Sequence, residues 1–262
     1  MFYYNYKQMP IPYSLKPKYE YDLIRLGSKN DGGYLIEKNS LYQTRYLLSF
    51  GISTDWNFEK AFIKKNNVDF KCYDGSINET YWLQWKKKSI KKALRFSFKE
   101  IYNYLKIKKS FHKFFNNSNF ASFYIGKKKG NKNIHDVIDK IEKNKLFFKI
   151  DIEGSEYEIL DQLINIRNRI SGIAIEFHQC DQNINLIEKF INQINLTVVH
   201  LHANNYDPVS NSGIPKTLEI TLSSDPLVIG NVVNLPHEFD MPNKANKPEI
   251  KLDFWNEKNI NN

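Results

Sequence analysis

Two kinds of hydrophobic pattern alternate along this chain. Short apolar runs bounded by polar residues recur at Tyr46–Phe50, Val68–Tyr73, Leu146–Ile150, Ile173–Phe177 and Leu196–Leu201. Such runs suit strands buried on both faces of a sheet. Between several of them the apolar positions fall at helical spacing, as in Tyr157, Leu160, Leu163 and Ile164. Strands are predicted over 46–51, 68–74, 120–126, 146–152, 172–178, 196–204 and 216–222. Helices are predicted from Ser53 onward and over 134–143, 156–168 and 183–194. Ahead of them, Leu23–Gly27 and Tyr34–Ile36 flank Asn30-Asp31-Gly32-Gly33, the form of a hairpin. Pro10, Pro12 and Pro17 disfavour a helix in the lead-in, and the polar tail 231–262 predicts no element. Strand and helix in alternation point to an α/β fold with a mostly parallel sheet, and 262 residues suit one domain spanning 1–262.

Charge changes this picture in one place. The net charge is +9, yet Thr80–Phe115 alone holds eleven basic residues (Lys86, Lys87, Lys88, Lys91, Lys92, Arg95, Lys99, Lys106, Lys108, Lys109, Lys113) against Glu100. The rest of the chain is near neutral. Within the segment Leu94, Phe98, Ile101, Tyr102 and Leu105 form an amphipathic stripe, read as a surface helix covering the sheet with a solvated lysine face. That reading is preferred to a nucleic-acid groove. A lid over an anionic substrate and a membrane-surface contact are the other uses such an 80–120 insertion has. No apolar run approaches the ~20 residues needed to span a bilayer. The aromatic, polar start shows no hydrophobic signal segment, and Cys72 and Cys180 give neither a disulfide framework nor metal-ligand spacing. The expectation is a cytoplasmic protein.

Candidate chemistry gathers where strands end. In open α/β sheets ligands bind outside the carboxyl ends of the strands. The run Lys149-Ile150-Asp151-Ile152-Glu153-Gly154 brings two carboxylates there, and alternation puts Lys149, Asp151 and Glu153 on one side. Glu176 and His178 share a face of the next strand, as do His200, His202 and Asn204 of the one after. If those strands are parallel, Asp151, Glu153, Glu176, His178 and His202 converge. Such a set can serve as a base with an orienting carboxylate, or hold a hard divalent cation. The strand ending at Gly51 runs into a helix start, and Asp74 follows at a distance suited to gripping ribose hydroxyls. Gly51-Ile52-Ser53-Thr54 lacks the further glycines of a dinucleotide fingerprint, which counts against NAD and leaves other adenosine cofactors open.

Several motifs in order resemble one family. They are Arg25-Leu26-Gly27 with Asn30-Asp31-Gly32-Gly33-Tyr34, Ser49-Phe50-Gly51-Ile52 with Asp55 and Phe58-Glu59, and Lys149–Gly154 with Glu156. Ile175-Glu176-Phe177-His178, His202-Ala203-Asn204-Asn205-Tyr206 and Leu218-Glu219-Ile220-Thr221 complete the set. Together they resemble the FkbM-type S-adenosylmethionine-dependent methyltransferases. The resemblance implies a Rossmann-like class I methyltransferase fold of seven strands, the last antiparallel between two others. It implies S-adenosylmethionine as cofactor, with its methionine part over Gly51 and its ribose on Asp74. Ser49, Ile52, Asp55 and Asp151 complete the expected cofactor site. Family relatives mostly methylate hydroxyls, many on sugars of bacterial surface polysaccharides, so the expected substrate is a sugar or nucleotide sugar. Asp151, His178 and His202 are the catalytic candidates. Glu153, Asn204, Asn205 and Tyr206 are the expected substrate contacts, and Asp151, Glu176, His178 and His202 the ligands for Mg²⁺ or Mn²⁺. RNA methylation through the basic segment is an alternative, which two acids at the strand end oppose. A non-catalytic binding module on the same scaffold is another.

Overall fold

The apolar runs assemble into one sheet in a computed structural model that describes residues 11–94 and 98–255. Arg95, the first ten residues and the last seven lie outside it. After two short segments, Ile11–Pro12 paired with Phe254–Trp255 and Glu20–Tyr21 paired with Val228–Gly230, comes an antiparallel hairpin of β1 (Leu23–Gly27) and β2 (Gly33–Glu37), as expected from its glycine turn. The sheet then uses β3 (Tyr46–Phe50), β4 (Asp69–Tyr73), β5 (Phe120–Ala121), β6 (Leu146–Ile150), β7 (Ile170–Phe177), β8 (Thr197–Ala203) and β9 (Leu218–Ser223). Its seven strands are ordered β8-β9-β7-β6-β3-β4-β5. β3 pairs in parallel with β4 and β6, β6 with β7, and β4 with β5. β9 runs antiparallel to both β7 and β8, as the resemblance implies. This is the Rossmann-like α/β arrangement of the methyltransferase type. Every residue of β6 and β7 is buried, which is why both read as near-continuous apolar runs.

Side-chain alternation sends the strands' bulk into two layers. Leu47 and Phe147 pack with Leu41 of α1 (Lys38–Gln43) and Phe58 and Phe62 of α2 (Asn57–Lys65), together with Leu26, Tyr34 and Ile36 of the hairpin. On the other face Leu48, Phe50, Phe148 and Ile150 meet Leu163 of α6 (Leu160–Asn165) and Ile187 and Phe190 of α7 (Cys180–Ile194). The chain moves from β3 outward through β4 to β5, then returns to the other side of β3 as β6. The carboxyl ends of β3 and β6 therefore flank a topological switch point, where a crevice opens.

Several predicted boundaries shift for local reasons. β6 stops at Ile150, because Glu153 takes a left-handed backbone (φ +55°) and the strand's alternation does not continue past Asp151. The helix expected over 156–168 is broken into a tight turn at Glu156–Glu158, α6 and a second tight turn at Arg167–Arg169. The Glu156 carboxylate there turns back to accept from the Ile152 and Gly154 N–H groups. α2 starts at Asn57, where Asp55 accepts from the Asn57 N–H, four residues later than Ser53. β5 keeps two residues of the expected seven, and the helix from Ile134 is the short α5 (Ile134–Ile138).

The basic segment forms α3 (Glu79–Ala93) and α4 (Phe98–Phe114), a pair rather than one helix. Their inward faces are aromatic. Trp82, Tyr104, Phe111 and Phe115 pack with Trp56, Cys72 and Ile52. The stripe expected to cover the sheet points the other way: Leu94, Phe98, Tyr102 and Leu105 are exposed. Each helix carries two apolar faces, and the aromatic one packs on the body.

Candidate functional site

The glycine turn after β3 and the end of β6 are built against each other. Gly51 has φ +74°, and a Cβ there would stand 1.6 Å from the Asp151 carbonyl oxygen, so only glycine fits. One buried cation joins the two ends. The Lys149 ammonium donates to the Gly51 carbonyl at 2.6 Å and to Asp151 Oδ2 at 3.2 Å, and lies 5.5 Å from the centre of the Tyr34 ring. Burial alone would lower the Lys149 pKa. The charges of Asp151 and Glu59 and the hydrogen bond to Asp151 outweigh it and raise it, so the side chain remains an ammonium.

Beside this turn lies a cleft of about 190 Å³. Its walls are Gly51 and Ser53, the loop Asp74-Gly75-Ser76, Tyr124 and the segment Asp151–Glu153. Asp74 reaches it as expected, but its carboxylate already braces the turn. Oδ2 accepts from the Ile52 and Ser53 N–H groups at 3.0 and 2.8 Å, and Oδ1 from the Ser76 N–H and hydroxyl at 2.8 and 2.6 Å. The Tyr124 ring lies flat on Gly75, where a Cβ would come within 2.3 Å of it. Tyr124 is nonetheless exposed, so one aromatic face is open to a ligand. Ser49 and Asp55 face elsewhere. The buried Ser49 hydroxyl donates to Glu59 Oε1 at 2.5 Å, and Asp55 accepts from the Ser28 hydroxyl at the hairpin turn. Asp55 accordingly ties the hairpin to the start of α2.

Asp151 belongs both to this cleft and to a polar cluster beyond it. Asp151, Glu153 and His178 each offer one ligand atom, all within 4.8 Å of one another. His178 Nδ1 is 3.0 Å from Glu156 Oε1, which leaves Nε2 facing Glu153 Oε2 at 3.5 Å and Glu176 Oε1 at 3.8 Å. Its backbone carbonyl accepts from the Tyr157 hydroxyl at 2.5 Å, and Gln179 after it is left-handed (φ +53°). Burial would lower the imidazole pKa. The hydrogen bond and charge of Glu156, with Glu176 and Asp151, reverse that and hold it at about 9. Glu176 is driven well above the usual carboxylate range, first by burial and then by the charges of Asp151 and Glu219. Its oxygens accept from the Tyr34 hydroxyl at 3.0 Å and the Asn204 amide at 2.9 Å.

His202 is not part of this cluster. The register sets it beside Glu219, which faces Glu176, so the three form a row across β8, β9 and β7. Both ring nitrogens are taken, Nδ1 by Glu219 at 3.1 Å and Nε2 by Glu249 at 3.0 Å. Burial again opposes the charge, but those two hydrogen bonds raise the pKa to about 10. A doubly held imidazolium can neither accept a proton nor ligate a cation, which removes His202 from the catalytic and metal sets. Asn204 spends its amide on Glu176 and its carbonyl on the Tyr206 N–H. Asn205 clamps the tail, donating to the Lys244, Lys247 and Pro248 carbonyls and accepting from the Lys244 N–H. Both are buried structural residues; Tyr206 and Glu153 are exposed. Sequence reasoning missed Lys149, Glu156 and Tyr124. A lysine inside an otherwise apolar strand run was the one available signal.

No family model matches the chain, and no curated protein does. Among solved structures it is similar to a proposed sarcosine dimethylglycine methyltransferase from Galdieria sulphuraria, at 7% identity and TM-score 0.35 over 71% of this chain and 82% of that one. It is also similar to a proposed methyltransferase from Thermoplasma acidophilum, at 8% identity and TM-score 0.31 over 69% of this chain and 68% of that one. Similarity this loose bears on no activity. Function is therefore argued from the site.

Proposed function

We propose that the chain is an S-adenosylmethionine-dependent O-methyltransferase acting on a hydroxyl of a sugar, in particular a nucleotide-activated sugar destined for a bacterial surface polysaccharide. The observation that carries the reading is that Asp151 is shared between the switch-point cleft and the Asp151–Glu153–His178 cluster. The cleft residues would hold a methyl donor, and Asp151 would put the proton-handling groups next to it. Tyr124 offers a flat face for an adenine, and the Asp74 loop offers polar groups for a ribose. Acceptor class and surface-polysaccharide role follow from the motif resemblance.

Methyl transfer from a sulfonium is an in-line displacement: the acceptor oxygen bonds to the methyl carbon as the carbon–sulfur bond breaks, and the hydroxyl proton leaves. The protein's work is alignment and proton removal. Asp151 is the group positioned to take that proton; His178, with a pKa of about 9, is charged near neutral pH and can join it as a base only once it has lost its own proton. Glu156 fixes the imidazole so that Nε2 faces the cluster, and Lys149 fixes Asp151. Two carboxylates and one imidazole, with a carboxylate behind the imidazole, also suit Mg²⁺ or Mn²⁺. Asp151, Glu153 and His178 would hold it, and its chemistry there would be to make an acceptor hydroxyl more acidic.

The test is mass spectrometry for transfer of an isotope-labelled methyl from S-adenosylmethionine to a pool of nucleotide sugars, with and without chelator. A labelled sugar product, lost in Asp151→Asn, is the expected result. Label on RNA instead of any sugar would contradict the acceptor class, and no transfer to any acceptor would contradict the reading as a whole.

A further inference from the structure

The outward face of the α3–α4 pair has no use in the chemistry above, yet it carries large exposed apolar side chains. On α3, Leu83, Ile90 and Leu94 recur seven and four residues apart, hence on one side of the helix, and all three are exposed. On α4, Phe98, Tyr102 and Leu105 recur four and three apart, also exposed. Leu94 and Phe98, at the ends that meet, are 79% and 65% exposed. A different side of each helix holds Trp82 and Ser89 on α3 and Tyr104 and Phe111 on α4, all buried. Six large apolar side chains thus project from one segment, away from the protein. Scattered exposed leucines are ordinary; an exposed apolar stripe on each of two adjoining helices is not.

Charge decides what fits them. Lys86, Lys87 and Lys91 flank the α3 stripe, and Lys99, Lys106, Lys109 and Lys113 flank that of α4, all exposed. Glu100 is occupied by Lys92 at 3.0 Å, so it does not offset them. A second copy of the chain would bring the same lysines face to face. A nucleic acid would satisfy the lysines but leave the aliphatic tips in water. A surface with negative groups outside and hydrocarbon just beneath satisfies both sets at once, since lysines keep their charge at the headgroups while the apolar tips enter below.

We propose that the outward face of α3 and α4 docks on an anionic lipid bilayer through its exposed apolar side chains and the lysines beside them. α3 begins directly after the Asp74-Gly75-Ser76 loop. The proposal stands independently of the reaction assigned to the cleft.

Co-sedimentation of the full chain with vesicles tests it. Phosphatidylcholine vesicles containing about 30% phosphatidylglycerol should retain the protein at low salt, pure phosphatidylcholine should not, and added salt should weaken retention. Leu94→Ser with Phe98→Ser should weaken binding about tenfold while leaving thermal melting unchanged, since both are surface positions. Lys86→Glu with Lys87→Glu and Lys91→Glu should abolish it by reversing the local field. Equal retention by both vesicle types, no retention by either, or retention unchanged in both variants would overturn the proposal. Binding to single-stranded RNA without binding to vesicles would overturn it in favour of a nucleic-acid surface.

Discussion

Lys149 is the residue on which the candidate site's geometry depends most. Its ammonium joins the Gly51 carbonyl to the Asp151 carboxylate, with Glu59 adding a favourable charge. Lys149→Met keeps the length and loses the charge. It strands Asp151 in a half-buried site beside Glu176, and removing one partner of a buried pair costs about 3–5 kcal/mol. Urea denaturation should show that loss, with methyl transfer falling further than stability because the turn and the acid lose their common tie. His202 makes a second prediction, about pH. Its folded pKa of about 10 lies above the ordinary 6.5, so its stabilisation is whole below about 6.5 and drains away as pH rises through about 10. The melting temperature should fall across that window, and His202→Gln should flatten part of the fall while lowering stability at neutral pH. A slope that is the same in both proteins would contradict the assignment. Residue identities at the site were legible where they sit at strand ends, as with Asp151 and His178. The occupation of His202 was not, because its partner Glu249 is 47 residues away in a tail without periodicity.

At the scale of elements, two contacts invite a test. Tyr124 lies on Gly75, so Gly75→Val must displace the ring from the cleft wall. The affinity for S-adenosylhomocysteine should drop about tenfold, which is about 1.4 kcal/mol, with little change in melting. Asn205 clamps the tail through Lys244, Lys247 and Pro248. Asn205→Ala should raise amide exchange over 244–249 while leaving β6 and β7 protected, because it frees a surface segment and not the core. Elements were legible when one pattern dominated them. β6 and β7 are buried on both faces, so a continuous apolar run identified each. The α3–α4 segment has two apolar stripes on each helix, and periodicity cannot say which faces inward. The aromatic sets, Trp82 stacked on Trp85 and Phe111 tilted against Phe115, take the inward side because large rings bury more area. The helix after Gly154 broke because the Glu156 carboxylate turns back to the Ile152 and Gly154 N–H groups, a local competition that spacing does not reveal.

Across the whole molecule, alternating strands and helices were enough to anticipate a parallel α/β sheet. They were not enough to anticipate that β9 inserts antiparallel between β7 and β8; only the family resemblance implied that. Strand order then determines where the site can be. The reversal at β3 and β6 opens a crevice at Gly51 and Asp151, and β7 brings Glu176 and His178 to the same edge. Calorimetric titration with S-adenosylhomocysteine tests this account most directly. One-to-one binding, weakened about tenfold by Gly75→Val and untouched by the Leu94→Ser, Phe98→Ser double variant, is the result expected. No heat of binding, or binding indifferent to Gly75→Val, would contradict it.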